Sequence, residues 1–118
     1  MSIWDGIYVA YMTGSEGQGF GMFVFDRGVL VGADPLGVTF SGNYVVDDAG
    51  ALNGDIEVSD PANGTVIQGV STGNSKMTYS VSIKLSAEDL EQNFFQITTP
   101  LGPVNIKLEK LTSLEVNE

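Results

Sequence analysis

Apolar and polar side chains alternate with a period of two along most of this chain. Over residues 38–46, Val38, Phe40, Gly42, Tyr44 and Val46 share one face, and Thr39, Ser41 and Asn43 take the other. Over residues 51–58, Leu52, Ile56 and Val58 alternate with Asn53, Asp55 and Glu57. Between Met77 and Leu85, the set Met77, Tyr79, Val81, Ile83 and Leu85 opposes Thr78, Ser80, Ser82 and Lys84. Near the end, Val104, Ile106 and Leu108 alternate with Asn105, Lys107 and Glu109. Successive side chains of a strand point to opposite faces, so these are antiparallel strands with one face in a core and one in water. Phe40, Tyr44 and Tyr79 are bulky members of the inward set, which predicts a filled or narrow interior.

The first third is apolar on both faces. Ile3, Ile7, Val9 and Tyr11 oppose Trp4, Tyr8, Ala10 and Met12, while Phe20, Met22 and Val24 oppose Phe23 and Phe25. A strand apolar on both sides must be covered on both sides. No amphipathic helix is evident, so either a second copy of the chain or a loop over residues 59–75 supplies the second cover. The first choice predicts an isologous homodimer. Trp4, Tyr8, Phe23 and Phe25 are its candidate interface anchors, because aromatic residues are enriched in interface cores. The alternative for Trp4 and Tyr8 is closure of the barrel's bottom.

Short connections rich in Gly, Asp and Pro join the apolar runs: Gly14-Ser15-Glu16-Gly17, Asp26-Arg27-Gly28, Asp34-Pro35-Leu36-Gly37, Asp47-Asp48-Ala49-Gly50 and Thr99-Pro100-Leu101-Gly102-Pro103. They place consecutive strands side by side in a meander. Residues 59–75 read mainly as loop, with Thr65-Val66-Ile67 as a short pairing segment, and Ser86-Ala87-Glu88-Asp89 reads as a cap opening one helical turn. Eight strands in a meander remove their exposed edges by closing on themselves. The prediction is one all-β domain over residues 1–118, an eight-stranded antiparallel up-and-down barrel, with a β-sandwich as the alternative. Its interior is assigned to Val38, Phe40, Tyr44, Leu52 and Ile56, then to Tyr79, Val81 and Ile83, and finally to Val104, Ile106 and Leu108. An eight-stranded barrel is just wide enough to be packed with side chains or to hold one small ligand.

Composition narrows the chemistry. The 118 residues contain neither cysteine nor histidine. Disulfides, thiolate nucleophiles, Ser-His and Cys-His pairs and the usual transition-metal ligands are therefore missing, and so is the commonest neutral-pH acid–base group. No catalytic residue, metal site or cofactor is predicted. Fifteen acidic against five basic residues leave a net charge of −10. Nucleic-acid binding draws on roughly 6–10 basic contacts to phosphate, and the scattered Arg27, Lys76, Lys84, Lys107 and Lys110 are the whole supply. Binding to nucleic acid or to a membrane is thus not expected. A basic protein partner fits the charge, and Asp47-Asp48 at a hairpin tip is its candidate contact. The absence of cysteine and of a recognisable signal peptide leads to the expectation of a cytoplasmic protein.

Other motifs read as structure. Gly17-Gln18-Gly19-Phe20-Gly21 lacks the following helix that a phosphate loop needs, since Met22-Phe23-Val24-Phe25 is strand-like. The acids Asp47, Asp48, Asp55, Glu57 and Asp60 do not match a calcium-loop spacing. Asn63-Gly64-Thr65 reads as an Asn-Gly turn.

Asp5-Gly6-Ile7-Tyr8, the run 19–25, Gly28-Val29-Leu30-Val31-Gly32-Ala33-Asp34 and Phe40-Ser41-Gly42-Asn43-Tyr44, in that order, resemble the family of the type III secretion negative regulator GrlR. These are small bacterial lipocalin-like proteins. The resemblance covers residues 4–58 and extends to the final strand. It implies a lipocalin-like barrel, a homodimer and regulation through protein–protein contact, with a basic transcriptional activator bound by an acidic loop motif that corresponds to Asp47 and Asp48 here. The functional expectation is a non-enzymatic regulatory or adaptor protein; the alternative is a carrier of a small apolar ligand inside the barrel.

Overall fold

The computed structural model describes residues 3–15, 17–61, 76–90 and 94–114. Eight antiparallel strands make up one sheet: β1 (Gly6–Thr13), β2 (Gln18–Asp26), β3 (Val29–Ala33), β4 (Thr39–Val46), β5 (Leu52–Asp60), β6 (Met77–Leu85), β7 (Phe95–Thr99) and β8 (Gly102–Ser113). Their spatial order is β6-β5-β4-β3-β2-β1-β8-β7. Every strand therefore pairs with its sequence neighbour except β6 and β7, and the β1–β8 pairing wraps the sheet round. The ends β6 and β7 approach each other without a hydrogen-bonded ladder. The result is a nearly closed up-and-down barrel, and the sandwich alternative is set aside.

Two connections share one construction. Asp34 Oδ1 accepts from the backbone N–H groups of Leu36 and Val38, each at 2.9 Å. Asp47 Oδ1 accepts from those of Ala49 at 2.9 Å and Ala51 at 3.0 Å. In both, a glycine three residues on takes positive φ, +94° at Gly37 and +84° at Gly50, a conformation costly for residues with a Cβ. Between β6 and β7, a single 3₁₀ turn (Ala87–Leu90) is capped by Asp89, whose Oδ2 accepts from the Ser86 N–H at 2.7 Å.

The inward face follows the alternation. A core of Trp4, Tyr8, Phe23, Phe25, Leu30, Tyr44, Leu52 and Leu85 gathers at one end of the barrel and forms its floor. Phe25 stacks at a tilt on Tyr8 (4.9 Å between centroids) and on Tyr44 (5.5 Å). The Phe23 ring, 4.9 Å from Phe40, lies over Gly32, where a Cβ would come within 2.5 Å of it. At Gly42 the β5 backbone at Asp55 occupies the space a Cβ would need, so these strands approach more closely than side chains allow.

Two expectations are corrected here. Trp4 and Tyr8 are fully buried, and Phe23 and Phe25 are 8% and 3% exposed, so none of the four is available as an outer interface anchor. Tyr8, Phe23 and Phe25 fill the floor because the parity of β1 and β2 turns them inward, and Trp4 joins them from the turn before β1. The outer apolar set is the complementary one, with Ile7 opposite Val24, Val9 opposite Met22 and Val31 opposite Val24. Ser59 and Asp60, read as loop, continue β5. Thr65-Val66-Ile67 and Asn63-Gly64-Thr65 lie outside the described residues.

Candidate functional site

Above the floor the barrel is hollow. A cavity of about 1020 Å³ runs between the strands. Its walls carry Ala10 and Met12 of β1, Phe40 of β4, Ile56 and Val58 of β5, Tyr79, Val81 and Ile83 of β6, Ile97 of β7, and Val104, Ile106 and Leu108 of β8, with Val38 just before β4. Of the predicted interior residues, Tyr44 and Leu52 belong to the floor and the other nine line the cavity. The expectation of a narrow interior is corrected. Phe40 packs sideways on Phe23 and Tyr44 packs down on Phe25, so their bulk builds wall and floor and leaves the axis open.

The two ends of the barrel treat polar groups differently. At the floor, the Tyr44 hydroxyl donates to the buried Asp5 Oδ1 at 2.5 Å, the Tyr8 hydroxyl donates to the Trp4 carbonyl at 2.8 Å, and the Trp4 indole donates to the Gly50 carbonyl at 3.0 Å. Burial, with the Asp5 charge nearby, pushes the Tyr8 phenol up to about 12. Burial and the hydrogen bond to Asp5 raise Tyr44 well above the usual tyrosine range. Both remain neutral donors at physiological pH, and Lys110 closes the floor from outside by donating to the Ile3 carbonyl at 2.7 Å.

At the other end the rim carries Asp34, Pro35, Leu36, Asp60, Pro61 and Thr99. Asp60 is 2% exposed, yet its Oδ2 has no hydrogen-bond partner among the described residues. Desolvation raises its pKa above the ordinary carboxylate range, and the Asp34 charge adds to the shift. Asp60 does not stand out as a functional residue in the sequence pattern. The signal was present: position 60 has the parity of Ile56 and Val58.

Asp47 and Asp48, the predicted partner contacts, sit on the hairpin at the floor end. Asp47 is committed to its own turn, with Ala49, Ala51 and the Asn53 amide (3.1 Å) all donating to it. These bonds, from Ala51 foremost and then from Asn53, lower its pKa. Asp48 is exposed. Neither residue reaches the cavity.

No family model and no curated protein matches this chain. Among the described residues no helix is long and apolar enough to cross a membrane.

Proposed function

We propose that this chain is a non-enzymatic binding protein that carries a small apolar molecule inside its barrel. The observation that supports it most is the cavity of about 1020 Å³ walled by aliphatic and aromatic side chains. Ligand sites are concave, mostly apolar and carry few polar groups, with volumes of roughly 300–1,000 Å³. A volume of this size is far beyond a packing defect in an interior that is otherwise close-packed. The test uses the neutral fluorophore N-phenyl-1-naphthylamine, whose emission rises in apolar surroundings. One molecule should bind per chain, and Ala10→Trp, which projects an indole into the lumen, should abolish the rise without unfolding the protein. Native mass spectrometry of freshly purified protein should show a co-purified ligand. If the probe stays dark with the unaltered chain, the proposal fails.

A second reading is an adaptor for a basic protein, favoured by the net charge of −10 and by the exposed Asp48 at its hairpin tip. Asp48→Lys should weaken capture of that partner from the native host if this reading holds. Kinship with GrlR-type regulators is part of the same proposal. The matching residues are largely ones the barrel needs: Asp5 accepts from Tyr44, Tyr8 fills the floor, and Gly32 and Gly42 accommodate close neighbours. A lipocalin-like architecture and a cytoplasmic location accompany the proposal, the latter supported by the absence of cysteine.

A homodimer is also proposed, through the outer face of β1–β3 rather than through the floor aromatics. Tyr11, Met22 and Val31 are 45%, 44% and 45% exposed there, beside Val24 and Ile7. Copies carrying ten net negative charges each repel unless they meet on an uncharged patch, and this face supplies one. Light scattering should report twice the chain mass, and Met22→Lys should halve it; a single-chain mass for the unaltered protein would remove this part.

A further inference from the structure

Resting on the carrier reading, we infer that the cavity selects amphiphiles with a cationic, hydrogen-bond-donating head, such as long-chain primary amines, and that Asp60 receives that head. The cavity has a long apolar wall, and at its rim one buried polar atom has no partner among the described residues. Asp60 ends β5 on the inward face, almost wholly buried at the rim, with Oδ2 unpartnered among the described residues. The charge that acts on it there is that of a second acid, Asp34, which also lines the rim. No lysine or arginine lines the cavity among the described residues. A carboxylate or phosphate head would meet two acids and, among the described residues, no cation, an arrangement that rejects anions by repulsion and desolvation. An ammonium brings both the missing donors and the counter-charge, allowing Asp60 to ionise in place.

The wall length sets the tail. From Tyr79 near the rim to Leu85 at the floor, β6 rises about 3.3 Å per residue and tilts by roughly 40°, giving a depth of about 15 Å that suits an alkyl chain of about twelve carbons.

The experiment is competition against N-phenyl-1-naphthylamine near neutral pH, with dodecylamine and dodecanoate as chain-matched competitors held below their micellar concentrations. Dodecylamine should displace the probe at concentrations about tenfold or more below those of dodecanoate, the scale of one charge-assisted hydrogen bond. Asp60→Asn should erase that preference while probe binding is retained. Glu57→Gln, the same charge change on the outer face of β5, should leave it intact, which separates Asp60 from the general acidity of the protein. Equal displacement by the two competitors, or a preference that survives Asp60→Asn, overturns the inference and leaves the carrier reading standing. Failure of the probe to enter the unaltered protein overturns both.

Discussion

Replacing Asp60 with valine should make this protein more stable, against the usual direction of substitution in a buried position. The carboxyl is 2% exposed and its Oδ2 has no partner among the described residues. A buried polar group left unsatisfied costs about 1–3 kcal/mol. Valine removes that cost and continues the inward alternation of Ile56 and Val58. Its effect depends on pH in a defined sense. The Asp60 pKa is raised in the folded protein, chiefly by desolvation and further by Asp34, so the unfolded chain releases this proton first as pH increases from about 4. Stability of the parent is then lost as pH climbs through the folded value, whereas the valine variant has no such loss. The gain should therefore be about 1–3 kcal/mol in acid, where the neutral carboxyl still lacks its hydrogen bond, or roughly 1 M in the urea midpoint for a domain of this size, and larger near neutrality. Fluorescence of Trp4, the single tryptophan, reports unfolding from the floor, at the other end of the barrel from the substitution. A midpoint that falls at neutral pH, or a gain equal in acid and at neutrality, would refute the reasoning.

Tyr44→Phe deletes the hydroxyl that donates to buried Asp5, and should cost about 2 kcal/mol in urea unfolding, while Tyr11→Phe on the outer face should cost close to nothing. Because Tyr8 and Tyr44 are both raised, stability should decline as pH rises above about 10, where the unfolded phenols ionise first; alkaline unfolding curves should show a smaller decline in Tyr44→Phe. Gly32→Val should destabilise by about 1–3 kcal/mol by driving a methyl group into the Phe23 ring, and Phe23→Leu should recover part of the loss in thermal melts. Asp47→Ala should lower the melting temperature by releasing the hairpin N–H groups, whereas Asp48→Ala should leave it unchanged; the stability that Asp47 confers is present above the unfolded carboxylate pKa and fades as pH drops through the lower folded value.

The strands were legible because alternation is unambiguous wherever one face is polar. Phe40, Ile56, Tyr79 and Val81 announce the lumen by opposing Ser41, Glu57, Ser80 and Ser82. Over β1 and β2 the same rule loses its power, since Tyr8 and Val9, or Phe23 and Val24, are equally apolar. Parity along one strand does not say which of two greasy faces turns inward, and only pairing across the completed sheet decides it. Cavity size was illegible for a related reason. Side-chain bulk sums along the sequence, but Phe23 spends its ring over Gly32 and Tyr44 spends its ring on the floor, so large residues need not fill the axis. Asp60 was hidden by composition, because the Gly- and Asn-bearing stretch after it lent a loop character to a residue that ends a strand.

Asp5 and Asp60 make the functional argument sharper than the cavity alone. Both acids are nearly sealed from solvent, at 3% and 2% exposure, and they occupy opposite ends of one barrel. Around Asp5 the fold supplies a tyrosine hydroxyl at 2.5 Å and closes the surrounding floor with the Trp4 and Tyr8 hydrogen bonds. That is how a buried carboxylate is treated when its task is architectural, since an uncompensated one is strongly destabilising. At the rim, the charge of another acid, Asp34, acts on Asp60, and its Oδ2 has no donor among the described residues. A polar group that stability would remove, set where the apolar channel begins, is the expected signature of a position kept for binding. The two measurements on Asp60 are therefore linked. The substitution that strengthens the fold should be the one that costs the amine preference, and a variant that gained stability while keeping that preference would separate the orphaned carboxyl from recognition.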